Sequence, residues 1–179
     1  MKRFKDLYFQ DIRKELQDKF EYKNIHQIPK IEKIVLSTSV KEAIVNSKAL
    51  TYVVEHLKLI SGQLPAVTTA RKSIAAFKLR QGMKIGAKVT IRKERLFDFL
   101  ERLVLVAMPR IKNFRGLSTK NFDKNGNLNF GIKEQTIFPE IKYDDVKIES
   151  GFNITIVTSS KSIKESKVLL SSFKIPFND

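Results

Sequence analysis

Residues 56–93 form a run of thirty-eight with no Asp or Glu, yet they carry Lys58, Arg71, Lys72, Lys78, Arg80, Lys84, Lys88, Arg92 and Lys93. Nothing inside the segment neutralises those cations, so whatever fold it takes must present them to a polyanion. Its centre, residues 63–86, mixes the charge with Phe77, Met83 and glycines at 82 and 86. That mixture suits an extended RNA-contacting arm better than a solvated helix face.

At 179 residues the chain has the length of one domain, enough to bury roughly 70% of the surface its unfolded form exposes. Thirty-four Lys and Arg against nineteen Asp and Glu leave +15, while 42% hydrophobic content is too high for a disordered tail. Phosphate is the favoured counter-charge, because each neutralised phosphate releases condensed counterions. An anionic membrane surface fits less well. The first amphipathic segment carries Asp6, Asp11, Glu15 and Asp18 on its polar face, unlike a Lys/Arg-rich interfacial helix. No apolar run approaches the roughly 18 residues of a membrane span, and no signal or transit pattern opens the chain.

The absence of cysteine rules out a disulfide framework, a thiolate nucleophile and a Cys-ligated zinc. His26 and His56 stand isolated from any ligand spacing and read as surface or helix-packing residues. Gly82 and Gly86 bracket neither a Walker pattern nor G-x-G-x-x-G. Asp144 with Asp145, or Glu140 near Asp144, reads as solvated acid rather than a metal site. An enzyme reading has no anchor residue.

Phe4, Leu7, Tyr8, Ile12, Leu16 and Phe20 lay one apolar stripe along a first helix. Residues 30–38 read as a strand. Leu50, Val53, Val54, Leu57 and Ile60 mark a second helix ending at Gly62. Residues 65–70 and 86–92 are expected to be two strands joined by a projecting basic loop, 71–85, with Val89 and Ile91 on the core face and Lys88, Thr90 and Arg92 facing RNA. In the loop, Phe77 reads equally as an exposed contact or as a tether with Ile74 and Leu79, and the two glycines as points where backbone closes on a partner. Leu96, Phe99, Leu100, Leu103, Val104 and Ala107 give a third helix, stopped before Pro109. A second acid-free stretch, 102–122, carries Arg102, Arg110, Lys112, Arg115 and Lys120, with Phe114 in a loop. Asn125, Gly126 and Asn127 signal a turn before a strand at 128–132, and 152–158 is a further strand. Ser162 and Glu165 form a capping box opening the last helix, and the chain ends near Pro176. With no repeat or linker, residues 1–179 are expected to form one α+β domain, an antiparallel sheet with helices packed on one face.

These segments carry a resemblance. Gly62, Gln63, Pro65, Val67, Thr68, residues 70–75, Phe77, Lys78, Gly82 and residues 88–90 are similar to the signature of bacterial-type ribosomal protein L5. Residues 22–24, 28–35, 97–103, 109–110, 114–117, 122–123, 131–135, 138–141 and 154–156 resemble the same family in order. The resemblance implies a non-enzymatic constituent of the large ribosomal subunit, placed in the central protuberance among neighbouring large-subunit proteins and bound to 5S rRNA and large-subunit rRNA. Ser37, Thr38, Ser39, Lys41, Lys88, Thr90 and Arg92 are then the expected rRNA contacts. It further implies that Arg71, Lys72, Lys78, Arg80 and Lys84 reach peptidyl-site tRNA, and that Lys112, Asn113, Phe114 and Arg115 lie toward the small-subunit head and its protein S13. No membrane and no cofactor are implied. A free RNA chaperone or an RNA-modifying enzyme are the alternatives.

Two departures stand out. Asn153 occupies a position where the family usually has aspartate. The family usually reads Asn-Met-Gly-Val-Gly-Glu-Ala after the first strand, where this chain has Ser37, Thr38, Ser39, Val40, Lys41, Glu42 and Ala43. Both glycines are replaced, and the 5S rRNA contact is expected to change or disappear. A Lys- and Ile-rich composition and similarity to alphaproteobacterial members favour a mitochondrial matrix ribosome, with a bacterial cytoplasm as the alternative.

Overall fold

Alternating apolar side chains lay down a sheet in the computed structural model, which describes residues 3–44, 46–143, 146 and 148–178. Asp144 and Asp145 lie outside the described residues. β1 (Ile31–Ser39) turns Ile34, Leu36 and Thr38 inward. After the short β2 (Ala66–Thr69), β3 (Lys84–Ile91) does the same with Ala87, Val89 and Ile91. Beyond the two-residue β4 (Leu117–Ser118), β5 (Leu128–Ile132) buries every second residue, and so does β6 (Phe152–Thr158). Five of these strands form one antiparallel sheet in the order β2-β3-β1-β6-β5, with helices packed against it. The fold is α+β.

The chain divides into two compact units. One comprises residues 1–34, 91–130 and 155–179, the other 35–90 and 131–154.

In the first unit, α1 (Phe4–Leu7) passes through a π turn, Tyr8–Ile12, into α2 (Arg13–Phe20). The sequence explains the wide turn. Phe4, Tyr8, Ile12 and Leu16 are all buried and recur strictly every four residues. An α-helix of 3.6 residues per turn rotates such a stripe steadily off its face, and a π turn restores it. The phenol of Tyr8 donates to the Pro29 carbonyl at 3.0 Å, and its ring stacks on Phe173, 6.2 Å between centroids. Burial pushes the Tyr8 hydroxyl pKa up.

α4 (Glu94–Arg102) likewise runs into a π turn, Leu103–Ala107, and then a 3₁₀ turn, Met108–Arg110. The expected stop before Pro109 is therefore displaced. Proline opens the new turn, where its missing N–H removes no helical bond. α5 (Ile163–Ser172) starts as expected at Ser162, whose hydroxyl accepts from the Glu165 amide at 3.3 Å, while the Glu165 carboxylate accepts from the Lys161 amide. The chain continues past Pro176 into β7 (Phe177–Asn178), which pairs in parallel with β4.

The second unit is built on α3 (Ser47–Ser61), capped by the Asn46 side chain at one end and by left-handed Gly62, φ 69°, at the other. Ala49, Leu50 and Val53 pack on Val40 and Ala43. His56 is buried on the same helix, a packing residue. Gln63 then ties the helix end to the sheet, its amide donating to the Thr90 carbonyl at 2.6 Å. Among the described residues, no helix is long and apolar enough to cross a membrane.

Candidate nucleic-acid interface

The acid-free segment becomes a helix end, an edge strand, an arm and a return strand, and it lies within the second unit as far as Thr90. β2 pairs antiparallel with β3, Ala66 opposite Lys88 and Thr68 opposite Gly86, with an irregularity after Thr68. Lys84 pairs with Thr69. The projecting loop is thus shorter than 71–85, and Lys84 belongs to the strand at its root.

The arm is ordered by its own backbone. Ala70 N–H donates to Met83 O at 2.8 Å and Gly82 N–H to Ala70 O at 2.9 Å, extending the ladder beyond the strands. Further out, Ile74 and Leu79 exchange bonds of 3.0 and 3.1 Å around the short turn Ala75–Phe77. Gln81 N–H reaches the Ser73 hydroxyl at 3.0 Å. Arg71, Lys72, Lys78, Arg80 and Lys84 are all exposed on this frame. Phe77 is 65% exposed, so the ring is a surface group and not a core tether.

The two glycines differ in use. Gly82 holds φ +85° with open space around it, a turn only glycine takes at no cost. Gly86 is buried, and a Cβ there would stand 2.5 Å from the Thr38 carbonyl oxygen. The expectation that Gly86 admits a partner is therefore corrected, because its missing side chain makes room for the chain's own β1.

Ser37 and Ser39 lie on the outward side of β1, and Lys88 and Thr90 on the outward side of the neighbouring β3. Asn153 is outward on β6. The outward positions of this unit's strands hold no carboxylate among the described residues, so the face repels no phosphate. Thr38 stands apart, since it is buried and its hydroxyl donates to the Gly151 carbonyl at 2.7 Å. Lys41 follows in the turn Lys41–Ile44. None of residues 37–41 takes a positive φ, so Ser39 and Lys41 sit there without backbone strain.

An open groove of about 850 Å³ separates that turn from the arm tip. Its lining includes Val40, Lys41, Ile44, Phe77, Lys78 and Ile85. Charge reading missed it, because its walls come from segments far apart in sequence and are mostly apolar. Phe77 was the available signal.

Arg92 belongs to the first unit and is exposed just after β3. The same unit holds Lys112, Asn113, Phe114 and Arg115 in a loop, with Asn113 in a left-handed conformation, φ 55°, and Phe114 half-buried. No cluster of metal-ligating side chains occurs among the described residues.

A basic, hydrogen-bonded arm beside a carboxylate-free sheet face defines an RNA-binding structural protein. Residues 84–177 match the family model for the C-terminus of ribosomal protein L5, and residues 24–80 match the model named Ribosomal protein L5. The chain belongs to the ribosomal L5 family. It is a non-enzymatic constituent of the large ribosomal subunit and binds rRNA.

Proposed function

We propose that the second unit divides its contacts, with the outward sheet face on rRNA of the central protuberance and the arm on peptidyl-site tRNA. Ser37, Ser39, Lys88 and Thr90 meet the rRNA backbone, Lys41 supplies a further cation, and Thr38 supports the strand from behind. Arg92 adds a phosphate contact from the first unit. In that unit, Lys112, Asn113, Phe114 and Arg115 lie toward the small-subunit head and protein S13. Residues 1–179 act together as one L5-like body.

The observation that carries the arm assignment is five exposed cations, Arg71, Lys72, Lys78, Arg80 and Lys84, on a frame held by its own hydrogen bonds. A preformed arm loses little entropy on reaching a mobile ligand. The replaced glycines at Ser39 and Lys41 favour a rebuilt 5S rRNA contact and a mitochondrial ribosome, with a bacterial one as alternative. Co-sedimentation with large subunits through high salt separates this reading from a free chaperone or a modifying enzyme.

The arm is tested by replacing Arg71, Lys72 and Arg80 with Ala in assembled ribosomes. Subunit incorporation is expected to persist while tRNA retention falls and becomes less salt-sensitive, because exposed cations act through screened attraction. Equal tRNA occupancy for variant and parent across a salt series would refute the arm's role.

A further inference from the structure

We propose that the groove between the arm tip and the Lys41–Ile44 turn holds one unpaired nucleotide of rRNA, its base stacked on Phe77 and its phosphate against Lys41. The inference rests on the family's rRNA binding and not on the tRNA contact proposed for the arm.

Both walls are built. The Val40 amide donates to the Ile85 carbonyl at 2.9 Å, which fixes the turn to β3. The opposite wall is fixed by the Ile74–Leu79 pair. Between them Lys78 adopts φ +53°, a left-handed conformation that costs a non-glycine residue energy and that sets Phe77 and Lys78 side by side in the lining. The volume, about 850 Å³, lies within the roughly 300–1,000 Å³ typical of small-ligand sites.

The chemistry of the lining selects the occupant. Val40, Ile44, Leu79 and Ile85 give an apolar floor, Phe77 a ring face, and Lys41 an exposed cation. A flat base attached to a phosphate satisfies all three, and aromatic stacking is how proteins hold unpaired bases. Glu42, also in the lining, has only acceptor atoms when ionised, so it faces an exocyclic amino group of the base. The source is rRNA because one wall is the Lys41–Ile44 turn, which directly follows β1 with its outward Ser37 and Ser39, and the family binds rRNA.

Two measurements test this. In tRNA-free large subunits carrying the full chain, a photoreactive benzoylphenylalanine at position 77 should crosslink to one unpaired rRNA nucleotide, mapped by reverse transcription. Crosslinks only to added tRNA, only to protein, or to nothing would overturn the site. In solution, Phe77→Leu should weaken binding of the full chain to purified rRNA by about fivefold or more, since stacking on an aromatic ring is lost. Phe77→Trp should restore it. Equal affinities for Phe77→Leu and parent, or a lowered urea midpoint for Phe77→Leu that marks the ring as a structural tether, would defeat the proposal. Arg71, Lys72 and Arg80 do not line the groove, so failure here leaves the arm's tRNA role standing, and the reverse.

Discussion

Gly86 has room for a hydrogen and nothing larger: a Cβ would lie 2.5 Å from the Thr38 carbonyl and 2.8 Å from the Thr68 hydroxyl. The first neighbour is backbone and cannot swing away, so Gly86→Ala should cost about 1–3 kcal/mol of overpacking, read as a lower urea midpoint at unchanged slope. An unshifted midpoint would show that β1 and β3 relax apart freely. The glycine's presence was plain in the sequence, but whether it made room for RNA or for the chain itself depended on a partner forty-eight positions away. Asp123 shows a second kind of hidden role. Burial pushes its carboxyl pKa up, but hydrogen bonds from the Asn127 side chain, the Asn127 amide and the Asn125 amide outweigh that and hold it below its ordinary 3.8. A depressed carboxylate pKa stabilises the fold above the unfolded value, and that gain is lost as pH falls through the folded one. The stability difference between the parent and Asp123→Asn should therefore be constant above about pH 5 and shrink on acidification below pH 4. A difference that stays flat down to pH 2 would remove Asp123 from the acid response. Asn125, Gly126 and Asn127 announced the turn, whereas the carboxylate that closes it precedes the signal and looked like any surface acid.

Whole elements were legible where one local rule decided them. β5 and β6 coincide with the expected 128–132 and 152–158 because alternation fixes both their existence and their facing. α3 ends at Gly62 and α5 starts at Ser162 because cap chemistry is written in a few adjacent residues. Removing such a cap should be felt locally. Ser162→Ala should cost about 1 kcal/mol, measured by thermal or urea unfolding, and amide exchange should quicken first in the opening turn of α5. Uniform acceleration throughout the chain, or none, would mean the Glu165 carboxylate and packing already fix the helix start. Elements set by nonlocal pairing stayed hidden. β4 and β7 are two residues each and exist only because Leu117 lies beside Phe177 and Ser118 beside Asn178, and a two-residue strand has no period to read. The π turns fall between these cases. The strict four-residue spacing of Phe4, Tyr8, Ile12 and Leu16 contained the hint, but a plain helix with a drifting stripe is the simpler reading until burial of all four is seen.

At the scale of the molecule, residues 56–93 carry nine cations and no acid, and seven of the nine lie in the second unit. Charge is a property that sequence reports directly, which is why nucleic-acid binding was legible and the groove on the same unit was not. The division of labour inside that charge is what remains to be measured, and salt provides the means. Each phosphate neutralised by a cation contributes about 0.7 to 0.9 to the slope of log K against log salt. If the outward sheet face holds rRNA, Lys88→Ala should lower that slope for purified rRNA by about 0.7–0.9 while leaving the urea midpoint in place, since an exposed lysine supports little of the fold. Arg71→Ala with Lys72→Ala and Arg80→Ala should leave the rRNA slope unchanged and lower only the tRNA response. Lys14, exposed on α2 amid Asp11, Glu15 and Asp18, is the internal standard, because acids surround it on its own helix and Lys14→Ala should change neither slope. Three outcomes are then separable. A slope that falls for Lys88 alone assigns rRNA to the sheet. A fall for the arm variants in the rRNA titration transfers that role to the arm and breaks the proposed division. A fall for Lys14 of the same size would mean that binding follows total charge, with no face preferred.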